Sequence, residues 1–432
     1  MRHCILFYEH VNRDYATCLR IKYFIEECSN HGISVILYSI TYEWPDAVRY
    51  ARTHIVELVI FPWMRWSPHF EYAQLLYRCN NNVRFLILNQ EQAGSPCSTN
   101  LLMPQNSFAR EGVYHCSWTQ MYADELVDAG VLREHIRVTG NAKLDTVDAF
   151  DSHRSEFADA YGLDANKKWI LFAESRNIAV LKSDYFKERQ RYCGIAESDI
   201  EEQISYFERS LREFERQLSE LSSVFFAEYE LIYRLHPGQE NLISIPSRVH
   251  EITEGPIGEW IASCDVYMTF SSTSAFEAEQ AHVPVLIHNP IPVEQRYQMR
   301  GIGAFRSVQH IQEIMTIDFD KLRLEQASRS VGSGVVGVPN SDAALAVAEW
   351  ACVLACCPEF ELPQKPPREM NKILMRDMYL KTRASRLVIR LGLFERLKWP
   401  HIAYRNKADL PPEWIAEKPI GDIGGFLGKR NL

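Results

Sequence analysis

At 432 residues the chain is longer than one hydrophobic core usually organises, so two domains of roughly 150 to 200 residues with a cleft between them are expected. Hydrophobic residues make up 46% and charged residues 24%, ordinary for a soluble globular protein, and no run of about 18 uncharged apolar residues is present to span a bilayer. The formal net charge of −9 argues against a general nucleic-acid binder, which would usually be basic.

The opening MRHCILFYEH has an apolar run of only about five residues, too short for a secretory signal, so a cytoplasmic location is expected. HCILFYEH then reads as a strand, 14–29 as a helix, SVILYSIT as a strand, 44–53 as a helix and IVELVIF as a strand. A helix over 67–79 precedes RFLILNQ and VYHCSW, and another over 119–129 precedes IRVTG. Strands separated by helices of this length build βαβ units and a mostly parallel sheet, here a Rossmann-like half over 1–163.

The polar stretch DANKKW interrupts the pattern, which restarts with WILFAES, a long charged helix near 197–222, YELIYRLHP and RVHEIT. A helix over 257–263, DVYMTFSS, a helix over 273–282 and VPVLIHN complete a second half, 164–357. The expected fold class is therefore α/β, with two Rossmann-like domains facing a central cleft and helices at the C-terminal end. Eleven cysteines occur without CxxC pairs, and the CVLACC cluster at 352–357 sits in an apolar helical pattern, so core thiols are expected rather than metal ligands. Beyond the proline-rich ELPQKPP, an extension over 358–432 is expected to be helical and basic; between 368 and 407 it has 11 Lys and Arg against three acidic residues. The closing DLPPEWIAEKPIGDIGGFLGKRNL holds too many Pro and Gly for long regular elements.

In open parallel sheets, ligands bind beyond the carboxyl ends of the strands, and four such ends carry unusual polar groups. RFLILNQEQAG places Asn89, Gln90, Glu91 and Gln92 where the chain turns; Glu91 suits a base, a nucleophile or a sugar-hydroxyl acceptor, or else faces water in a solvated loop. WILFAESRN places Glu174, Ser175, Arg176 and Asn177 at the start of the second half. Glu174 either faces Glu91 across the cleft, dividing covalent and acid/base roles with it, or caps a helix or pairs with Arg176. LIYRLHPGQE ends a buried strand in His236, Pro237 and Gly238, a turn that aims an imidazole at a phosphate or leaving oxygen unless the histidine is merely structural. VYMTFSSTSAFEAEQ puts Ser271, Ser272, Thr273 and Ser274 at a helix start, an anion site or a simple N-cap, with Glu277 one turn inside. GxGxxG after the first strand, GxxxxGK[ST], HExxH and GxSxG are all absent, which argues against an ordinary NAD dehydrogenase, a P-loop enzyme, a zincin or an α/β hydrolase.

IRVTGNAKLD, YRLHPGQE and IGEWIASCDVYMTFSSTSAFEAEQAHVPVLI resemble, in order and spacing, the surface carbohydrate biosynthesis group of GT-B-type glycosyltransferases over roughly residues 85 to 290. That group carries a Gly-Asn-Pro-Arg-x-Asp turn, a basic-x-His-Pro strand end and a Ser-Thr-x-x-x-Glu-Ala helix start; here position 142 is Ala rather than Pro and 143 is Lys rather than Arg. The chain is similar in the same way to retaining β-Kdo transferases and bacterial sialyltransferases. The resemblance implies a nucleotide held mainly by the second half, with His236, Pro237, Gly238 and Ser271 to Ser274 at the phosphate and Glu277 at the ribose. It further implies two acidic residues in the cleft and no metal or other cofactor; by their strand-end positions Glu91 and Glu174 are the candidates, catalytic together with His236, and Gln90, Gln92, Arg176 and Asn177 are expected at the substrate.

The expected reaction is transfer of a sugar from a nucleotide donor, CMP-Kdo in the first instance, to a glycan or lipid-linked acceptor in lipopolysaccharide or capsule biosynthesis. Three alternatives stand beside it: a UDP-GlcNAc 2-epimerase-like enzyme, a CDP-glycerol-type polyol-phosphate transferase, and a non-enzymatic scaffold of an export assembly. NKILMRDMYLKTRASRLVIRLGLFERLKW interleaves apolar with basic residues, so 368–407 is expected to dock on the first half, which is compatible with peripheral contact with anionic lipid at the inner face of the cytoplasmic membrane.

Overall fold

The computed structural model describes the chain apart from residues 10–13, 65–66, 150, 237–240, 254, 330–334, 336–341, 357–364, 367–371 and 391–432. Each expected strand forms. The first half holds β1 (Arg2–Tyr8), β2 (Ile33–Ser39), β3 (Val56–Phe61), β4 (Arg84–Ile87), β5 (Tyr114–Ser117) and β6 (Ile136–Val138). The second holds β7 (Lys168–Ala173), β8 (Tyr229–Arg234), β9 (His250–Ile252), β10 (Val266–Thr269), β11 (Val285–His288) and the short β12 (Arg306–Val308). All pairings are parallel, in the orders β2-β1-β3-β4-β5-β6 and β12-β11-β10-β7-β8-β9. Each sheet is thus doubly wound, reversing direction once: between β1 and β3 in the first, and between β7 and β10 in the second.

Parallel strands covered on both faces need apolar side chains at every position, and the alternation shows which layer each one serves. In the first sheet Ile5, Phe7, Val59 and Phe61 point to one layer, where Trp44 and Tyr72 pack from the helices Trp44–Ala51 and Ser67–Cys79. Cys4, Leu6, Leu58 and Ile60 point to the other, covered by the helices Ala16–Cys28 and Ala343–Cys356. In the second sheet Ile170, Phe172, Leu231 and Tyr233 meet the long helix Glu197–Ser219 through its buried Ile200, Ile204, Phe207, Leu211, Phe214 and Leu218, a run at helical spacing.

Helix Ala343–Cys356 follows the second half in the chain, and the division at 357/358 groups it there; its packing is on the first sheet instead. Two arginines secure it. Arg2 and Arg84, from β1 and β4, donate to the carbonyls of Ala355 and Leu354 at 2.5 and 2.6 Å, where unmet carbonyls and the negative helix end favour a cation.

The basic helix Lys372–Arg390 also lies on the first half. Met375 joins its core, Tyr72 donates to Met378 Sδ at 3.9 Å and Arg386 pairs with Asp46 at 3.2 Å. The remainder of the basic segment, 368–371 and 391–407, lies outside the described residues. No described helix is long and apolar enough to cross a membrane, and no disulfide forms among the described cysteines.

Candidate functional site

At the switch point of the second sheet the loops after β7 and β10 are tied together by hydroxyl groups. The Ser271 N–H donates to Ser175 Oγ at 2.9 Å, Ser175 Oγ and Thr269 Oγ1 share a bond at 3.3 Å, and Thr269 Oγ1 donates to Ala173 O at 2.8 Å. A second chain links Tyr267 OH to Ser274 Oγ and Ser274 Oγ to Ser272 Oγ, each at 2.6 Å. Burial pushes the Tyr267 phenol well above its ordinary value, so it stays protonated and able to donate. Ser274 is buried and spent within this chain, whereas Ser271, Ser272 and Thr273 remain half-buried at the start of the helix Ser274–Gln280. A narrow crevice beside Ser271 is lined by Tyr206, Phe270, Asn289 and Tyr297.

His236 ends the segment after β8 and is exposed; Pro237 and Gly238 lie outside the described residues. Because β10, β7 and β8 are consecutive neighbours, strand spacing puts the ends of β8 and β10 about 10 Å apart across β7. His236, Ser175, Ser271 and Ser272 therefore share one edge of one sheet.

Glu277 is 3% exposed and meets Lys143, from the GNAKLD loop after β6, with Nζ and Oε1 2.5 Å apart. Two segments singled out in sequence thus touch across the two halves, and the lysine standing where the resembled pattern has arginine neutralises the glutamate. Lys143 is a residue the sequence reading left out of the site. The halves are joined again at Arg300, which pairs with Glu125, donates to Thr99 Oγ1 at 2.9 Å and gives its backbone N–H to Gly94 O at 3.1 Å.

Glu174 and Arg176 are buried, the carboxylate at 5% exposure and the guanidinium at 1%. Glu174 accepts from the backbone N–H groups of Ser175 and Arg176 at 3.0 and 2.8 Å, from Arg176 Nη1 at 2.9 Å and from Tyr233 OH at 3.3 Å. Arg176 also donates from Nε to Ser210 Oγ at 3.1 Å and lies over the rings of Phe214 and Phe270. Of the two roles open to Glu174 in the sequence, the geometry is that of the Arg176 pair: a carboxylate holding four donors away from solvent does not face Glu91 across a cleft. Arg176, expected at the substrate, is likewise engaged inside the second half. Asn177 follows at φ 50°, a left-handed turn that asparagine tolerates better than most residues.

The rim of the first sheet is built in a similar way. Asn89, at φ 49°, turns the chain after β4 and donates to Cys116 O at 3.0 Å and to His115 Nδ1 at 3.3 Å. His115 Nε2 faces Ala109 O at 2.8 Å, and burial pushes the imidazole down to about 4, so it stays neutral. Gln92, expected at the substrate, is 3% exposed and serves the loop: Oε1 accepts from the Trp118 N–H at 2.8 Å, and Nε2 donates to Asn89 O at 3.0 Å. Gln90 and Glu91 stay half-buried at the rim, and the Gln90 side chain reaches Cys18. Asp14, which follows β1 in the chain, is 4% exposed and near Cys18.

No protein-family model and no curated protein sequence matches the chain. Among solved structures, UDP-GlcNAc 2-epimerase from Neisseria meningitidis bound to UDP-GlcNAc is similar at 12% identity and a TM-score of 0.47, covering 82% of this chain and 100% of that one. S. aureus MnaA in its UDP co-structure is similar at 15% identity and a TM-score of 0.45, covering 80% and 94%. A variant of the wall teichoic acid polymerase TagF is similar at 12% identity and a TM-score of 0.48, covering 81% and 88%. At this level the likeness assigns no activity. The chain's own topology defines its class: an α/β protein of two Rossmann-like halves in the GT-B manner.

Proposed function

We propose that the protein is a nucleotide-sugar-dependent glycosyltransferase of surface polysaccharide biosynthesis, with CMP-Kdo as donor. One observation carries the reading: His236 and the hydroxyls of Ser175, Ser271 and Ser272 line the same edge of the second sheet, at and beside its switch point, where α/β proteins bind phosphate-bearing ligands. The donor phosphate sits against these hydroxyls. As the bond between the sugar carbon and the phosphate oxygen breaks, its electron pair leaves with the nucleotide, and His236 donates a proton or hydrogen bond to that oxygen. The acceptor hydroxyl attacks the same carbon and gives its proton to Glu91. With Glu174 held by Arg176, the scheme needs one catalytic carboxylate and no covalent intermediate on a second.

Melting curves with CMP, UDP and CDP-glycerol, followed by transfer assays, test this. CMP is expected to raise the melting temperature, and His236→Ala and Glu91→Gln to abolish transfer while leaving the melt unchanged. Stabilisation by UDP with acceptor-free isomerisation of UDP-GlcNAc would favour an epimerase, and selective stabilisation by CDP-glycerol a polyol-phosphate transferase. No response to any nucleotide would overturn the reading.

A further inference from the structure

Helix Lys372–Arg390 is docked along one side through Met375, Met378 and Ser385, all half-buried or buried, together with the Arg386–Asp46 pair. Its opposite side is not covered by any described residue to a comparable degree: Ile373 is 84% exposed, Leu380 54% and Leu387 54%. These three recur every seven residues, so at 3.6 residues per turn they fall within an arc of about 40° and form a stripe about 21 Å long. Arg376, Arg383 and Arg390 alternate with them at spacings of three and four, on one flank of the stripe. The helix has six Lys and Arg against one acid, Asp377, which is taken up by Lys381 at 2.6 Å.

We infer that this face is a docking surface for an anionic lipid bilayer. Leucine and isoleucine reach into the boundary between headgroups and acyl chains while the flanking arginines lie among phosphates, the arrangement an interfacial helix requires. Charge complementarity decides the occupant. A second copy packed antiparallel on the stripe would bring like-charged arginine flanks together, a parallel one would leave both flanks without a counter-charge, and a nucleic-acid backbone would offer nothing to the apolar stripe. An anionic bilayer satisfies both sets of side chains, and each cation near its surface adds attraction that salt weakens. Docking through this helix brings the first half, not the second, against the membrane.

Flotation of the full-length protein with vesicles tests the proposal. Binding is expected to vesicles of mixed phosphatidylcholine and phosphatidylglycerol, to weaken in high salt, and to be much reduced on phosphatidylcholine alone. The double variant Leu380→Asp, Leu387→Asp should lower partitioning at least about tenfold, since each leucine would otherwise be buried in lipid. Arg376→Glu with Arg383→Glu should lower it as well, and both variants should melt as the parent does because the altered side chains face outward. Equal flotation of parent and variants, or equal binding to neutral vesicles, would overturn it. So would light scattering that showed a dimer of the parent lost in the leucine variant. Nucleotide-induced stabilisation, measured without lipid, keeps this outcome separate from the fate of the transferase reading.

Discussion

Replacing Glu174 by glutamine separates a structural carboxylate from a catalytic one. The parent side chain holds four donors, and its partner Arg176 is 1% exposed, so the substitution leaves a guanidinium buried without its counter-charge. Breaking one side of a buried ion pair costs about 3 to 5 kcal/mol, because the remaining charge stays desolvated. For a domain of this size each kcal/mol moves the midpoint by about 2 to 4 °C, so a drop of about 10 °C is expected. Replacing both members, Glu174→Gln with Arg176→Met, removes both buried charges while the amide oxygen still accepts from the Ser175 and Arg176 N–H groups, and should recover part of the loss. Differential scanning calorimetry of the parent, Glu174→Gln, Arg176→Met and the double variant completes the cycle. If Glu174→Gln melts with the parent and loses transfer at saturating substrate, the carboxylate acts on substrate and the structural account of the Arg176 pair is wrong.

Lys143→Met leaves Glu277, at 3% exposure, without its cation, and is expected to destabilise by about 1 to 3 kcal/mol. Adding Glu277→Gln should restore part of that loss in a fluorimetric melt; a single variant as stable as the parent would deny the bridge any role. His115 titrates at about 4 in the folded chain against 6.5 when unfolded, so its contribution is intact above pH 6.5 and is lost as the pH falls towards 4. That interval corresponds to about 3 kcal/mol. Urea midpoints measured against pH should therefore fall less steeply for His115→Asn than for the parent in this window, and parallel curves would refute the assignment.

The strands were legible because their apolar runs are bounded by polar turns: YELIYRLHP gave β8 within three residues of its end. Strand β12 escaped notice, since Arg306–Val308 is three residues long and two of them are exposed, leaving no period to read. The polar strand ends lie at the carboxyl rims of the two sheets, yet a sequence does not say which way a rim side chain turns. Glu174 and Arg176 look alike in the chain whether they face solvent or each other. Their inward setting depends on Ser210, Phe214 and Phe270, contributed by distant segments. Helix Ala343–Cys356 shows the same limit at a larger scale. Its alanine-rich composition marks it as buried, but the choice of sheet rests on distant partners, the apolar face of Leu6, Leu58 and Ile60 together with Arg2 and Arg84.

That choice has a consequence for biosynthesis. A nascent chain emerging amino end first completes all six strands of its first sheet by residue 138, while the helix that shields one face arrives more than two hundred residues later. Until then Leu6, Leu58 and Ile60 front an incompletely covered apolar surface on the ribosome. The amino-terminal lobe is therefore finished last, and truncation before residue 343 should yield a product that holdase chaperones retain.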